Sequence, residues 1–276
     1  MAGIGFEGWP MAAGVEYLHR TDLVGTGTDL ASVLRTWLDS EPGTATVVAP
    51  PGTDLRSMRV AWALPPAINL VTDLRGEPIR GSSLALLSPD EAMLDTAAFY
   101  LNTTSRVLVV LGTDGPTITG WLRKHGATHI KDRNALAPLN GVLAEPAVEY
   151  GLRYLLSLLV RGFASDAFGR EPTKSKAISA FQAFRRGGVP LEAGPLLLEF
   201  LVSNGATIND AITLNDYARH VTDNAEIPTH AANRFRDDIL RVWRDATGPA
   251  SNDLITFDRV SGLGHNDPTE SSQACG

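Results

Sequence analysis

One segment, Arg106–Leu111, constrains the fold more than any other part of this chain. Val107, Leu108, Val109, Val110 and Leu111 are consecutive branched apolar residues. A short continuous run of this kind, closed by the turn residues Gly112-Thr113-Asp114-Gly115, reads as a strand buried on both faces. Such strands need helices packed on either side, and the sheets that contain them are mainly parallel with right-handed crossovers.

The neighbouring sequence supplies those helices. Leu30, Val33, Leu34, Trp37 and Leu38 recur at helical spacing, with Thr28 or Asp29 as N-cap and Gly43 as stop. Residues 44–49 read as a strand ended by Pro50-Pro51-Gly52. A helix over 55–64 follows, with Thr53 or Asp54 as its cap. Residues 68–72 and 83–87 are strand-like. Ser88-Pro89-Asp90-Glu91 predicts a helix start, with Ser88 capping and the helix reaching about Asn102. Gly115-Pro116 opens a helix through Lys124, Gly126 stops it, and 127–131 form a short last strand.

Residues 145–248 read as helical throughout. Residues 146–163 are apolar nearly all round. Helices are expected over 173–186 and 195–204, one or two short ones over 207–222, and one over 229–246. The fold expected is α/β, a mainly parallel sheet with flanking helices, followed by an all-helical region. The chain divides into an N-terminal arm (1–27), an α/β region (28–140), a helical region (141–248) and a C-terminal arm (249–276). The N-terminal arm carries a short helix near 12–19.

Composition excludes several classes. The hydrophobic fraction is 43% and the charged fraction 20%, ordinary for a globular protein with a full core. The formal charge of −7 opposes broad binding to phosphate backbones. Cys275 is the only cysteine, so no intramolecular disulfide forms. The most apolar stretch, 152–160, is interrupted by Arg153 and is too short for a membrane span. The N-terminus lacks a basic segment followed by an apolar core, and a cytoplasmic or particle-associated location is expected.

The best candidate site is the loop Gly112, Thr113, Asp114, Gly115, Pro116 and Thr117. It leaves the carboxyl end of a buried strand, where open α/β sheets bind ligands. It is neither GxGxxG nor GxxxxGK[ST], and Asp114 places negative charge where a phosphate would sit. The competing expectation is a tight turn with Thr113 or Asp114 as a helix cap. Asp73 reads as a loop carboxylate. No HExxH occurs among the six histidines, and His125 and His129, though four residues apart, are separated by the helix stop Gly126 and so form no metal pair on one helix. No metal, cofactor or catalytic group is nominated.

Three functions follow. A structural, self-assembling subunit (coat, shell or filament) is expected first, because no reactive motif stands out. Phe6, Trp9, Phe257 and Leu263 sit as apolar anchors within polar arms, suited to docking on another copy. A small-molecule or nucleotide-binding α/β enzyme, with its site at Gly112–Thr117, is the alternative. The third is a helix-turn-helix-like nucleic-acid binder using Arg234, Arg236, Arg241 and Arg244. Asp237, Asp238 and Asp245 offset those arginines.

Overall fold

In the computed structural model every residue of Arg106–Leu111 is buried, and this strand lies inside a six-stranded sheet. The structure describes residues 14–246, apart from 41–42, 76–78, 80, 138, 140–142, 144, 160–166, 190, 224–226 and 228–234. The strands are β1 (Gly14–His19), β2 (Ala45–Val48), β3 (Asn69–Val71), β4 (Ser83–Leu87), β5 (Arg106–Leu111) and β6 (Thr128–His129). All pairings are parallel, in the order β3-β2-β4-β5-β1-β6.

Handedness then assigns the helices. The steps β1 to β2 and β2 to β3 run in one direction along the sheet. They carry α1 (Leu30–Asp39) and α2 (Leu55–Ala61). The steps β4 to β5 and β5 to β6 run the other way, through α3 (Glu91–Ala98) and α4 (Pro116–Lys124). Right-handed crossovers put the two pairs on opposite faces. The cores agree. Leu34, Trp37 and Met58 pack with Val47, Ala85, Leu87, Leu108 and Val110 on one face. Met93, Leu94, Ile118, Trp121 and Leu122 pack with Val48, Leu84, Leu86, Val107 and Val109 on the other.

The second face also receives the helical region: α5 (Pro146–Leu159), α6 (Thr173–Arg186), α7 (Pro195–Ser203), α8 (Ile208–Thr222) and α9 (Ile239–Ala246). Phe181, Phe184, Phe200 and Trp243 belong to the same apolar cluster as the sheet residues, so one core runs through both regions. The α4–α7 contact is close because Gly120 has no side chain. A Cβ there would meet the Glu199 carbonyl oxygen and Val202 Cβ, both at 2.9 Å. Arg123 and Glu199 pair at 2.7 Å along the same seam.

Several local expectations are corrected. Residues 14–19 belong to neither an arm nor a helix but form β1, between β5 and β6. Val15 and Tyr17 are buried with the second-face core, and Leu18 is buried too, while Glu16 accepts from Trp37 Nε1 at 2.7 Å. Ser88 does not cap α3. Asp90 does, accepting from the Met93 amide at 2.8 Å, while Ser88 takes a left-handed backbone with φ 49°. That helix ends at Ala98, and residues 208–222 form one helix capped by Thr207. Asp29 and Asp54 cap α1 and α2.

One buried cation ties the first face together. Arg106 begins β5 and reaches under the C-terminal end of α1. It donates to Ser83 Oγ (3.0 Å), Ser40 Oγ (2.6 Å) and the Trp37 carbonyl, and lies 4.0 Å from the Trp37 ring centroid. Carbonyls at a helix C-terminus lack intrahelical partners and carry partial negative charge, so a guanidinium there satisfies both needs.

Candidate active site at the carboxyl edge of the sheet

β1 and β5 are neighbours, yet the helices that follow them pack on opposite faces. The chain therefore leaves a crevice between their carboxyl ends, the usual ligand position in open α/β sheets. The residues that meet there come from three connections. β1 ends at His19 and runs into a one-turn 3-10 helix, Arg20–Leu23. β5 ends at Leu111 and continues through Gly112-Thr113-Asp114-Gly115. β6 ends at His129.

His19 Nδ1 lies 2.9 Å from Asp114 Oδ1, bridging the ends of β1 and β5. His129 Nε2 lies 3.0 Å from Asp22 Oδ2, which also accepts the His19 backbone N–H at 2.9 Å. His129 Nδ1 is 3.2 Å from Asp132 Oδ1 but without hydrogen-bond geometry. Tyr17 packs against both imidazoles, with centroids 5.6 Å from His19 and 5.1 Å from His129. Burial, with the Asp132 and Asp22 carboxylates next, pushes the Tyr17 hydroxyl up and keeps it a neutral phenol. Burial works to raise the Asp22 carboxyl as well. The His129 ring and the His19 amide outweigh it and hold Asp22 below the ordinary carboxylate range.

Beside this cluster is a cleft of about 440 Å³. One wall is polar, with Asp90, Glu91, Thr113, Asp114 and Thr117, and the other is apolar, with Ile118, Leu198 and Ile212 from α4, α7 and α8. Glu91 accepts from Thr117 Oγ1 at 2.6 Å. Gly112 lies at the base of the loop, where a Cβ would come 2.9 Å from Ser88 Oγ. The loop nominated from sequence therefore does line a cleft. The capping role expected of Thr113 or Asp114 is not realised: the N-cap of α4 is Gly115, with no side-chain bond, and Asp114 turns to His19.

Among the described residues no Lys or Arg lines this cleft. Of the two helix N-termini at the cleft, α3 is closed by Asp90 on the Met93 amide, and α4 loses one N–H to Pro116 but has no side-chain cap. With Asp90, Glu91 and Asp114 on its polar wall, the cleft carries negative charge that favours neutral or cationic groups over phosphates.

A larger groove of about 1050 Å³ runs along the other face, between α1 and the β1–β6 end of the sheet. Its Glu16 and Arg106 are engaged with Trp37, Ser40 and Ser83, and its described lining holds no His–Asp contact.

The remaining sequence candidates lie elsewhere. Phe6, Trp9, Phe257, Leu263 and Arg234 fall outside the described residues. Arg236 and Arg241 both meet Asp238, at 3.0 and 3.3 Å, and Arg244 meets Glu145 at 3.1 Å. Asp73 accepts the Arg75 amide at 2.9 Å as a loop carboxylate. Among the described residues there is no cluster suited to a metal ion and no helix long and apolar enough to cross a membrane. Sequence reasoning missed His19, Asp22 and His129. The signal available was Asp114, a carboxylate at a strand end in need of a partner. The chain matches no family model, and no curated protein or solved structure is significantly similar to it.

Proposed function

We propose that this chain is a small-molecule α/β enzyme that binds a neutral or cationic ligand at the carboxyl edge of its sheet. His19 acts there as general base. The observation that carries the reading is the His19–Asp114 contact at the β1/β5 crevice, beside the cleft. A carboxylate at Nδ1 favours the proton on that nitrogen and leaves the Nε2 lone pair to accept one from a ligand. Nε2 has no partner among the described residues, and the His19 side chain is 30% exposed, so a ligand can reach it. Glu91, Thr117 and Asp114 then orient hydroxyl or ammonium groups, while Ile118, Leu198 and Ile212 cover the apolar part of the ligand.

The test is a thermal-shift screen with sugars, polyols, amines and nucleotides. A ligand at a hundred times its dissociation constant adds about 2.7 kcal/mol. Amines or polyols should raise the melting temperature, nucleotides should not, and Asp114→Asn should diminish the gain. No response from any amine or polyol, or an undiminished gain in Asp114→Asn, refutes the reading.

A further inference from the structure

The groove between α1 and the β1–β6 end of the sheet has a lining of its own and is independent of the carboxyl-edge site. Only α1 and α2 pack on this face, so β1 and β6 are left beside the groove. Parallel register aligns Glu16 with Thr128, which puts Glu16, Leu18, Thr128 and Ile130 on the floor. One wall is α1 with its flanks, which line the groove with hydroxyls, Ser32 and Thr36 from the helix, Thr28 before it and Ser40 at its C-cap, together with Val33 and the edge of Trp37. The opposite rim is the turn after β6. It is pinned by the Arg133 amide on the His129 carbonyl and the His129 amide on the Asn134 carbonyl, each at 2.9 Å. That turn carries Lys131 and Arg133.

The charge balance decides what fits. Glu16 is the only carboxylate among the described residues that line the groove, and both its oxygens are taken, by Trp37 Nε1 and by Arg133. Lys131 donates to the Asp22 backbone carbonyl and meets no carboxylate among the described residues. Arg133 is 70% exposed. Arg106, Lys131 and Arg133 thus outnumber the one carboxylate among the described lining residues, while Asp132 on the same turn faces the His129 ring at 3.2 Å, on a chain whose total formal charge is −7. We propose that this groove is a binding site for an apolar small molecule bearing one anionic group. The body of the ligand lies on Leu18, Val33 and Ile130, and its anion sits between Lys131 and Arg133. The volume, about 1050 Å³, is ample for such a ligand.

The test uses 8-anilinonaphthalene-1-sulfonate, an apolar anion, and its uncharged counterpart N-phenyl-1-naphthylamine. Binding is read by probe fluorescence on the full chain, including transfer from Trp37. One equivalent of the sulfonate should bind, at least fivefold tighter than the uncharged probe. The double variant Lys131→Glu, Arg133→Glu should lose that preference. Thr36→Trp, at an exposed position on α1, should fill the groove and abolish binding of both probes. Equal affinity for the two probes, or sulfonate binding unchanged in both variants, overturns the proposal. So does binding that emerges only after removal of residues 1–13, which would make the chain's own N-terminal segment the occupant.

Discussion

Replacing Gly120 by alanine puts the packing argument to a test of sign. Gly120 lies inside α4, where helix propensity alone makes alanine the better residue by about 1 kcal/mol. The structure demands the opposite. A Cβ at Gly120 would meet the Glu199 carbonyl oxygen at 2.9 Å, Val202 Cβ at 2.9 Å and Glu199 Cα at 3.3 Å. Two of these atoms are backbone and cannot rotate away, so α7 must shift. Overpacking of this kind costs about 1–3 kcal/mol. The displacement also strains the Arg123–Glu199 pair, in which both side chains are 16% exposed. Once the propensity gain is subtracted, the net expectation is a destabilisation of up to about 2 kcal/mol, measured as a lower urea midpoint at unchanged slope. Because α7 supplies Leu198 to the cleft wall, ligand-induced stabilisation should fall as well. A Gly120→Ala protein more stable than the parent, as helix propensity alone demands, refutes the close α4–α7 contact and with it the apolar wall of the site.

Arg106→Met should cost about 1–3 kcal/mol for each acceptor it strands, chiefly the Trp37 carbonyl and Ser83 Oγ under α1; Arg106→Lys should recover only part, lacking the planar fork. His125 stacks on Trp121 at 4.5 Å, and burial, with the Lys124 ammonium second, pushes its pKa down to about 4. The neutral ring is the form that folds. Its contribution is complete above about pH 6.5 and is lost as pH falls towards 4, at most about 3 kcal/mol. His125→Phe should flatten that part of the stability–pH curve, and an unchanged curve refutes it. Self-association through the terminal segments, the first expectation from sequence, predicts particles heavier than 29.5 kDa by light scattering, reduced on removing residues 1–13 or 247–276. A monodisperse 29.5 kDa species sinks it.

The sheet was legible where strands are buried on both faces and helices open on a capping carboxylate. β2, β4 and β5 are mostly apolar and buried at every residue, and Asp29 and Asp54 stand where caps are needed. β1 was not legible. Its sequence, Gly14 to His19, mixes Glu16 and His19 with Val15, Tyr17 and Leu18. Its polar members are accommodated by tertiary partners, Trp37 for Glu16 and Asp114 for His19, that no local pattern announces. This also settles where a truncation must stop: removing residues 1–27 would delete an interior strand rather than an arm. The candidate site was half legible for a related reason. The loop after β5 could be picked out by position alone. Its partners His19, Asp22 and His129 are spread across the chain and become neighbours only because β1 lies between β5 and β6.

The ends of the helices at the carboxyl edge explain the chemistry that is proposed there. In a parallel α/β sheet each helix that follows a strand points its N-terminal amides towards this edge, which makes it a ready place for anions. Here α1, α2 and α3 each begin with an aspartate that occupies its own amides, Asp29 on Ser32, Asp54 on Arg56 and Ser57, and Asp90 on Met93. The Ser32 amide holds the Asp29 carboxyl below the ordinary carboxylate range, and the Ser57 hydroxyl and amide do the same for Asp54. Around neutral pH these negative charges are therefore permanent, and they oppose phosphate at the helix N-termini they cap. If that is the reason the site favours neutral and cationic ligands, removing one cap should reverse it locally. Asp29→Gly keeps a residue tolerated at an N-cap while freeing the α1 amides. Inorganic phosphate should then stabilise the variant more than the parent at equal concentration, read as the difference between their melting temperatures. An equal response in the two proteins would show that the aspartate is not what excludes the anion.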